Sequence, residues 1–118
     1  MNHKELTVWK VSMELLVSTY NFTSTLPTNE KYRFVSQMNR AALSIPSNIA
    51  EGAARGTTKD YIRFLYTAIS SATELETQYI ATQMIPIAKE NLQYEDKIIS
   101  VIKLLYKQIQ SLKRKISP

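Results

Sequence analysis

The 118-residue sequence contains no cysteine and a single histidine, His3. Without cysteine the chain has no disulfide, no thiolate metal ligand and no cysteine nucleophile. One histidine cannot supply the paired Glu-x-x-His motifs of a di-iron bundle or the ligands of a zinc site, and near a chain end it makes a poor catalytic base. A glycine-rich phosphate loop is also missing. We therefore expect no metal, no cofactor and no catalytic site.

Glycine and proline are scarce as well. The two glycines and four prolines are too few for a β-protein that turns about every eight to twelve residues. The 44% apolar and 21% charged residues match an ordinary globular composition. We expect one domain of long helices over residues 1–118. No apolar run approaches about 18 residues and none follows the N-terminal charges, so we expect no membrane span, no signal peptide and a cytoplasmic location.

Apolar residues at spacings of three and four predict four helices, over about residues 5–22, 29–54, 58–84 and 91–116. Short connections make successive helices antiparallel, so the predicted fold is an all-α, antiparallel up-down-up-down four-helix bundle. In the first helix Leu6, Trp9, Met13, Leu16 and Tyr20 recur at these spacings, which predicts an apolar stripe along one face.

Local signals refine the second and third helices. Pro46 predicts a kink, because the apolar pattern continues in phase past it. Gly52 or Gly56 is expected to end the second helix in a left-handed C-cap. The run from Thr57 to Asp60 has the pattern of a capping box at the start of the third helix.

A polar row follows one side of the second and third helices, and it is free of lysine. Arginine, amide and hydroxyl side chains suit a partly buried network in which each polar group has a partner. One interpretation is an interface, inside the bundle or between subunits, organised by Arg40 and Arg55 with Glu51 and Glu74. The alternatives are an ordinary solvated flank and a catalytic use of the two carboxylates. The network or interface residues are Gln37, Arg40, Ser44, Asn48, Glu51, Arg55, Glu74 and Gln78.

The net charge of +5 favours polyanionic partners. The candidates for phosphate contact lie in the fourth helix: Lys97, Lys103, Lys107, Lys113, Arg114 and Lys115. The alternative is the plain solvated face of an amphipathic helix. Because no recognition-helix or aromatic-and-basic sheet motif is present, any binding should tolerate most sequences. Trp9 and the seven tyrosines are interpreted as core or interface residues rather than base-stacking platforms.

The run from Gln37 to Gly52, QMNRAALSIPSNIAEG, resembles the bacterial four-helix-bundle proteins encoded in intervening sequences of large-subunit rRNA genes. The similarity includes Arg55 and the segments LTVWK at 6–10, KDY at 59–61 and ELETQ at 74–78. It covers about residues 6–83, and the fourth helix matches only in its hydrophobic pattern. Two places depart from the family: Ser70-Ser71 replaces the usual Gly-Ser, and residues 84–87, MIPI, replace a common Leu-Gly-Tyr turn.

The resemblance implies a protomer that assembles into a ring-like homopentamer. It also implies a relation to the accessory variability proteins of diversity-generating retroelements, which are basic pentamers that bind nucleic acid and a reverse transcriptase. The leading interpretation is a non-enzymatic homo-oligomeric adaptor that binds RNA or DNA through a repeated basic surface, beside a protein partner such as a reverse transcriptase. The alternative is an oligomeric protein-interaction scaffold without direct nucleic-acid contact.

Overall fold

The computed structural model describes residues 2–116, which form four long helices: α1 spans Thr7–Thr23, α2 Ser36–Ala53, α3 Thr58–Met84 and α4 Leu92–Ile116. A 3-10 turn, His3–Glu5, precedes α1, and a 3-10 turn, Thr28–Glu30, followed by a π turn, Lys31–Val35, leads into α2. Each helix packs against the next, and α4 packs against α1. This confirms the all-α antiparallel four-helix bundle. No helix in residues 2–116 has the length and apolar composition needed to cross a bilayer.

Two helix-end predictions have opposite outcomes. The Thr57 cap is confirmed, because its hydroxyl accepts a 3.1 Å hydrogen bond from the amide of Asp60. The glycine C-cap of α2 is wrong, since no glycine among the described residues has a positive φ and the capping residue, Ala54, is right-handed. Gly52 instead lies against α3, where an added Cβ would approach the Phe64 Cβ to 2.7 Å. A glycine there permits close packing of two helices. The α-helix itself continues through Pro46.

The apolar stripe predicted for α1 lies at the edge of the core, about one residue away from the side of the helix that is fully buried. The residues that are buried are Val8, Ser12, Leu15, Thr19, Phe22 and Thr23, whereas Tyr20 is exposed and the other four predicted residues are half-buried. Ser12 and Thr19 enter the core because their hydroxyls donate to the carbonyls of Val8 and Leu15, at 2.7 and 2.8 Å. A hydroxyl paired in this way costs little to bury.

An aromatic cluster joins α1, α3 and α4 near the connection between α3 and α4. The ring of Phe22 lies 4.8 Å from Tyr94 and 5.4 Å from Tyr79, centroid to centroid. The Tyr94 hydroxyl is 2.9 Å from that of Thr19, and burial raises the pKa of Tyr94 above its ordinary value. The backbone amide of Asn91 donates to the Tyr79 hydroxyl at 2.9 Å. The cluster therefore ties the start of α4 to the end of α1.

Candidate nucleic-acid interface

The six cations proposed from the sequence of α4 are all exposed, but they do not form a single patch. The ammonium group of Lys97 donates to Ser18 of α1 at 2.9 Å, and that of Lys113 donates to the Tyr66 hydroxyl of α3 at 3.0 Å. These two lysines are separated by about 24 Å of helix, at 1.5 Å per residue. Lys97 thus lies beside α1, away from the other five.

The antiparallel topology concentrates positive charge in one half of the bundle. In this half, α1 and α3 begin and α2 and α4 end, so that residues 2–10, 51–63 and 107–116 lie together. We call this the basic half. It has nine cations against three carboxylates, a formal charge of +6. Its cations are Lys4, Lys10, Arg55, Lys59, Arg63, Lys107, Lys113, Arg114 and Lys115.

The other half of the bundle has no such excess. Its cations are Lys31, Arg33, Arg40, Lys89 and Lys97, and its carboxylates are Glu30, Glu74, Glu76, Glu90, Glu95 and Asp96. The formal charge of this half is therefore −1. Glu14 and Lys103 lie near the middle of the bundle, and their opposite charges cancel. Lys97 and Lys89 line a cleft of about 860 Å³ between α1 and the connection from α3 to α4, together with Glu90. The positive net charge of the protein thus comes entirely from the basic half.

Two arginines in the basic half are fixed against one aromatic ring. The guanidinium carbon of Arg55 lies 4.6 Å from the Phe64 ring centroid, and that of Arg63 lies 4.8 Å from the same centroid. Arg55 pairs with Glu51 at 3.1 Å, and Arg63 lies 3.7 Å from Asp60. All four charged side chains are at least two-fifths exposed. Two planar guanidinium groups thus lie against one ring, and each is a donor of the kind that binds phosphate oxygens.

The polar row of α2 and α3 divides into a packed centre and exposed flanks. In the centre, Ser44 Oγ lies 2.9 Å from Ser71 Oγ across the two helices, and the amide of Asn48 donates to Ser44 Oγ at 3.0 Å. Gln78 is partly buried, and its Oε1 is enclosed with no hydrogen-bond partner in the described residues. Gln37, Arg40, Glu51, Arg55 and Glu74 are exposed. The hydrogen bond across the two helices thus joins two serine hydroxyls, whereas the bond from Asn48 is made within α2.

At the edge of the core, α1 and α2 share a face of uncharged side chains that is flanked by the exposed cations Lys10 and Arg40. The hydroxyl of Thr23 donates to Asn39 Oδ1 at 3.0 Å, which places these two residues at the α1–α2 boundary. On α1 the residues one and two turns before Thr23 are Tyr20 and Leu16, and on α2 Leu43 follows Asn39 by one turn. We call this the apolar face; it consists of Trp9, Met13, Leu16, Val17, Tyr20, Leu43 and Ala50. Val17, Tyr20 and Leu43 are each at least half exposed.

Sequence reasoning found the cations of α4 but missed Lys59 and Arg63. Both lie in the first two turns of α3, beside the end of α4. The signal was available, because an up-down-up-down bundle brings the start of its third helix next to the end of its fourth. Within residues 2–116 no three His, Cys, Asp or Glu side chains gather as metal ligands would.

The fold and these surfaces define a small all-α bundle protein with one basic half and one uncharged face. The chain belongs to the 23S rRNA-intervening sequence protein family, whose model matches residues 4–113. The match includes most of α4, which the sequence resemblance reached only through its hydrophobic pattern. No curated protein matches the chain.

Proposed function

We propose that this protein is a non-enzymatic homo-oligomeric adaptor that binds RNA or DNA through its basic half. The observation that carries the proposal is the division of charge along the bundle: nine of the fifteen cations lie in the basic half, against three of the ten carboxylates. Clustered lysine and arginine side chains attract phosphates and release their counterions on binding. The two guanidinium groups on Phe64 add directional donors to that field.

Self-assembly would multiply this surface. An uncharged face lets two molecules of net charge +5 meet without placing like charges in direct contact, and an exposed apolar patch favours association. We infer that a second copy of this chain covers the apolar face. The family resemblance implies a homopentamer, in which five basic halves would act on one polyanion. Linked weak sites bind far more tightly than a single one.

A second candidate function is an oligomeric protein-interaction scaffold that makes no contact with nucleic acid. The apolar face favours it, because that face suits a protein surface independently of any phosphate. Both candidate functions are compatible with a further protein partner. We propose a reverse transcriptase as one such partner, because the resemblance implies it. The two functions differ in their response to salt, since only phosphate binding weakens steeply as salt rises.

Light scattering on the purified protein, alone and with a mixed RNA and DNA pool at low and high salt, tests the proposal. We expect a multiple of the 13.5 kDa protomer mass that increases with nucleic acid at low salt only. The double substitution Lys103→Glu and Lys107→Glu should abolish that increase, because Lys107 lies in the basic half and Lys103 lies one turn before it, next to that half. Both side chains are exposed, so the bundle should stay folded.

The matched control is Lys31→Glu with Lys89→Glu, which changes the charge equally but in the other half of the bundle. It should leave most of the binding intact. Equal loss in both double variants would mean that net charge alone drives binding, against a basic-half site. An oligomer that ignores nucleic acid at both salt concentrations would favour the scaffold instead.

A further inference from the structure

Two exposed tyrosines line the groove between α3 and α4. Tyr66 of α3 is 41% exposed, and the ammonium group of Lys113 of α4 donates to its hydroxyl at 3.0 Å. The same ammonium group lies 5.5 Å from the centre of the Tyr66 ring. A large aromatic ring is therefore held at the surface, with a cation against it and about two-fifths of the residue open to solvent.

Tyr106 borders the same groove. It precedes Lys113 by seven residues, which is two helical turns, so both side chains lie on one side of α4. Since Lys113 contacts α3, that side faces α3. Tyr106 is 49% exposed, and its neighbours along α4 include Lys103, Lys107 and Gln110, all exposed.

The two stretches of helix beside these tyrosines contain no carboxylate. Residues 61–73 of α3 and residues 97–116 of α4 lack both aspartate and glutamate. The same stretches contain seven of the fifteen lysines and arginines, Arg63 and Lys97 included, and hydroxyl or amide groups occupy many of the remaining exposed positions. The groove thus combines aromatic rings, positive charge and hydrogen-bonding groups, and the nearest carboxylates of α3, Asp60 and Glu74, lie at the two ends of this stretch.

We propose that this groove binds single-stranded nucleic acid, whose bases stack on Tyr66 and Tyr106 while Lys103, Lys107 and Lys113 contact the phosphates. The inference rests on the proposed nucleic-acid function and adds to it the strandedness of the ligand and the part of the surface that reads the bases. Unpaired bases expose their faces to an aromatic ring, whereas the bases of a duplex are stacked on one another. Stacking accepts every base, so the site selects single strands without selecting a sequence.

Two probes separate base stacking from phosphate binding. One is an oligothymidylate of about twelve nucleotides, within the usual span of a single-strand site. The other is a deoxyribose-phosphate chain of the same length without bases. Fluorescence anisotropy at low salt measures the affinity of the wild-type protein for each. We expect the oligothymidylate to bind at least about tenfold more tightly than the abasic chain, and more tightly than a duplex of the same length.

The substitutions Tyr66→Ala and Tyr106→Ala should each reduce oligothymidylate affinity about tenfold while leaving the affinity for the abasic chain unchanged. Tyr66→Phe and Tyr106→Phe retain the rings and should retain the preference for bases. The control is Tyr32→Ala, because Tyr32 is 83% exposed and also has a lysine, Lys31, 5.5 Å from its ring centre, but lies outside the groove. That variant should bind both probes as the wild type does.

Other results would overturn the inference. If the wild type binds both probes equally, the phosphate site stands but the bases are not read. If neither probe binds, the proposed nucleic-acid function fails and the inference fails with it. If Tyr66→Ala or Tyr106→Ala lowers the mass of the protein alone, by light scattering, and leaves the preference for bases intact, the tyrosines belong to a subunit interface.

Discussion

At the residue scale, Gly52 marks the place where α2 passes closest to α3. An added Cβ would lie 2.7 Å from the Phe64 Cβ and 3.2 Å from the Tyr61 carbonyl oxygen. We expect Gly52→Ala to reduce the free energy of unfolding by about 1–3 kcal/mol, because the contact atoms belong to a packed helix and cannot move without cost. Urea denaturation measures the change.

Gly56→Ala is the matched control, since a Cβ there would meet nothing within 4 Å. Its φ is not positive, so alanine should fit and should stabilise the protein by about 0.4–1 kcal/mol through the unfolded chain. Similar losses in both variants would mean that glycine is needed for its backbone freedom and not for space.

The same glycine illustrates what could not be predicted from the sequence. Near the end of a helix, Gly52 and Gly56 both fit the usual pattern of a C-cap. The close approach to Phe64 depends on how α2 and α3 pack, and no local pattern contains that information. The Thr57 cap could be predicted because its hydrogen bond is made within one turn of the same helix.

At the scale of single helices, α1 has two candidate apolar sides next to each other, and only one of them enters the core. Leu15 is fully buried, whereas Leu16 is half-buried and belongs to the apolar face. We expect Leu15→Ala to cost about 2–5 kcal/mol of unfolding free energy, the usual loss for a buried leucine. Leu16→Ala should cost clearly less in the protomer. Thermal unfolding of the two variants at matched protein concentration measures the difference. If Leu16→Ala destabilises the protein more than Leu15→Ala does, the stripe predicted from sequence is the core side of α1.

The helices themselves could be predicted well, because their periodicity and their end signals are local. The observed α3 spans the predicted residues, and α4 begins one residue later than predicted. The second helix is predicted from residue 29, but its α-helical part begins at Ser36, after the 3-10 and π turns. The buried side of α1 could not be predicted, because Ser12 and Thr19 count as polar in any sequence pattern. Their hydroxyls bond to the carbonyls one turn earlier, which removes the cost of burial. The apolar residues of the stripe predicted for α1 are then left at the edge of the core.

At the scale of the whole molecule, the candidate site arises from topology rather than from a motif. The cations of the basic half come from three separate segments of the chain, none of them strongly basic except the end of α4. Sequence reasoning therefore found Lys107 and Lys113 and missed Lys59 and Arg63. Tyr66 and Tyr106 were interpreted as core or interface residues, since nothing local distinguishes an exposed tyrosine from a buried one.

The apolar face leads to a prediction about assembly. Trp9, Leu16 and Tyr20 form a regular stripe at helical spacing that the protomer leaves partly open to water. The face has no charge, while the whole protein has a net charge of +5. A lysine placed in its centre would have to be buried without a partner when a second copy docks, which is strongly unfavourable. Leu43→Lys should therefore reduce the mass in solution to that of the 13.5 kDa protomer.

The control for this prediction is Leu92→Lys, which makes the same replacement at another exposed leucine, outside the apolar face. Both leucines are at least half exposed, so neither variant should lose the helical circular dichroism of the folded bundle. Light scattering should then find protomers for Leu43→Lys and the wild-type mass for Leu92→Lys. If Leu92→Lys alone dissociates the assembly, the copies meet near the start of α4. If both variants keep the wild-type mass, assembly does not use the apolar face, which would then be left for a different protein partner.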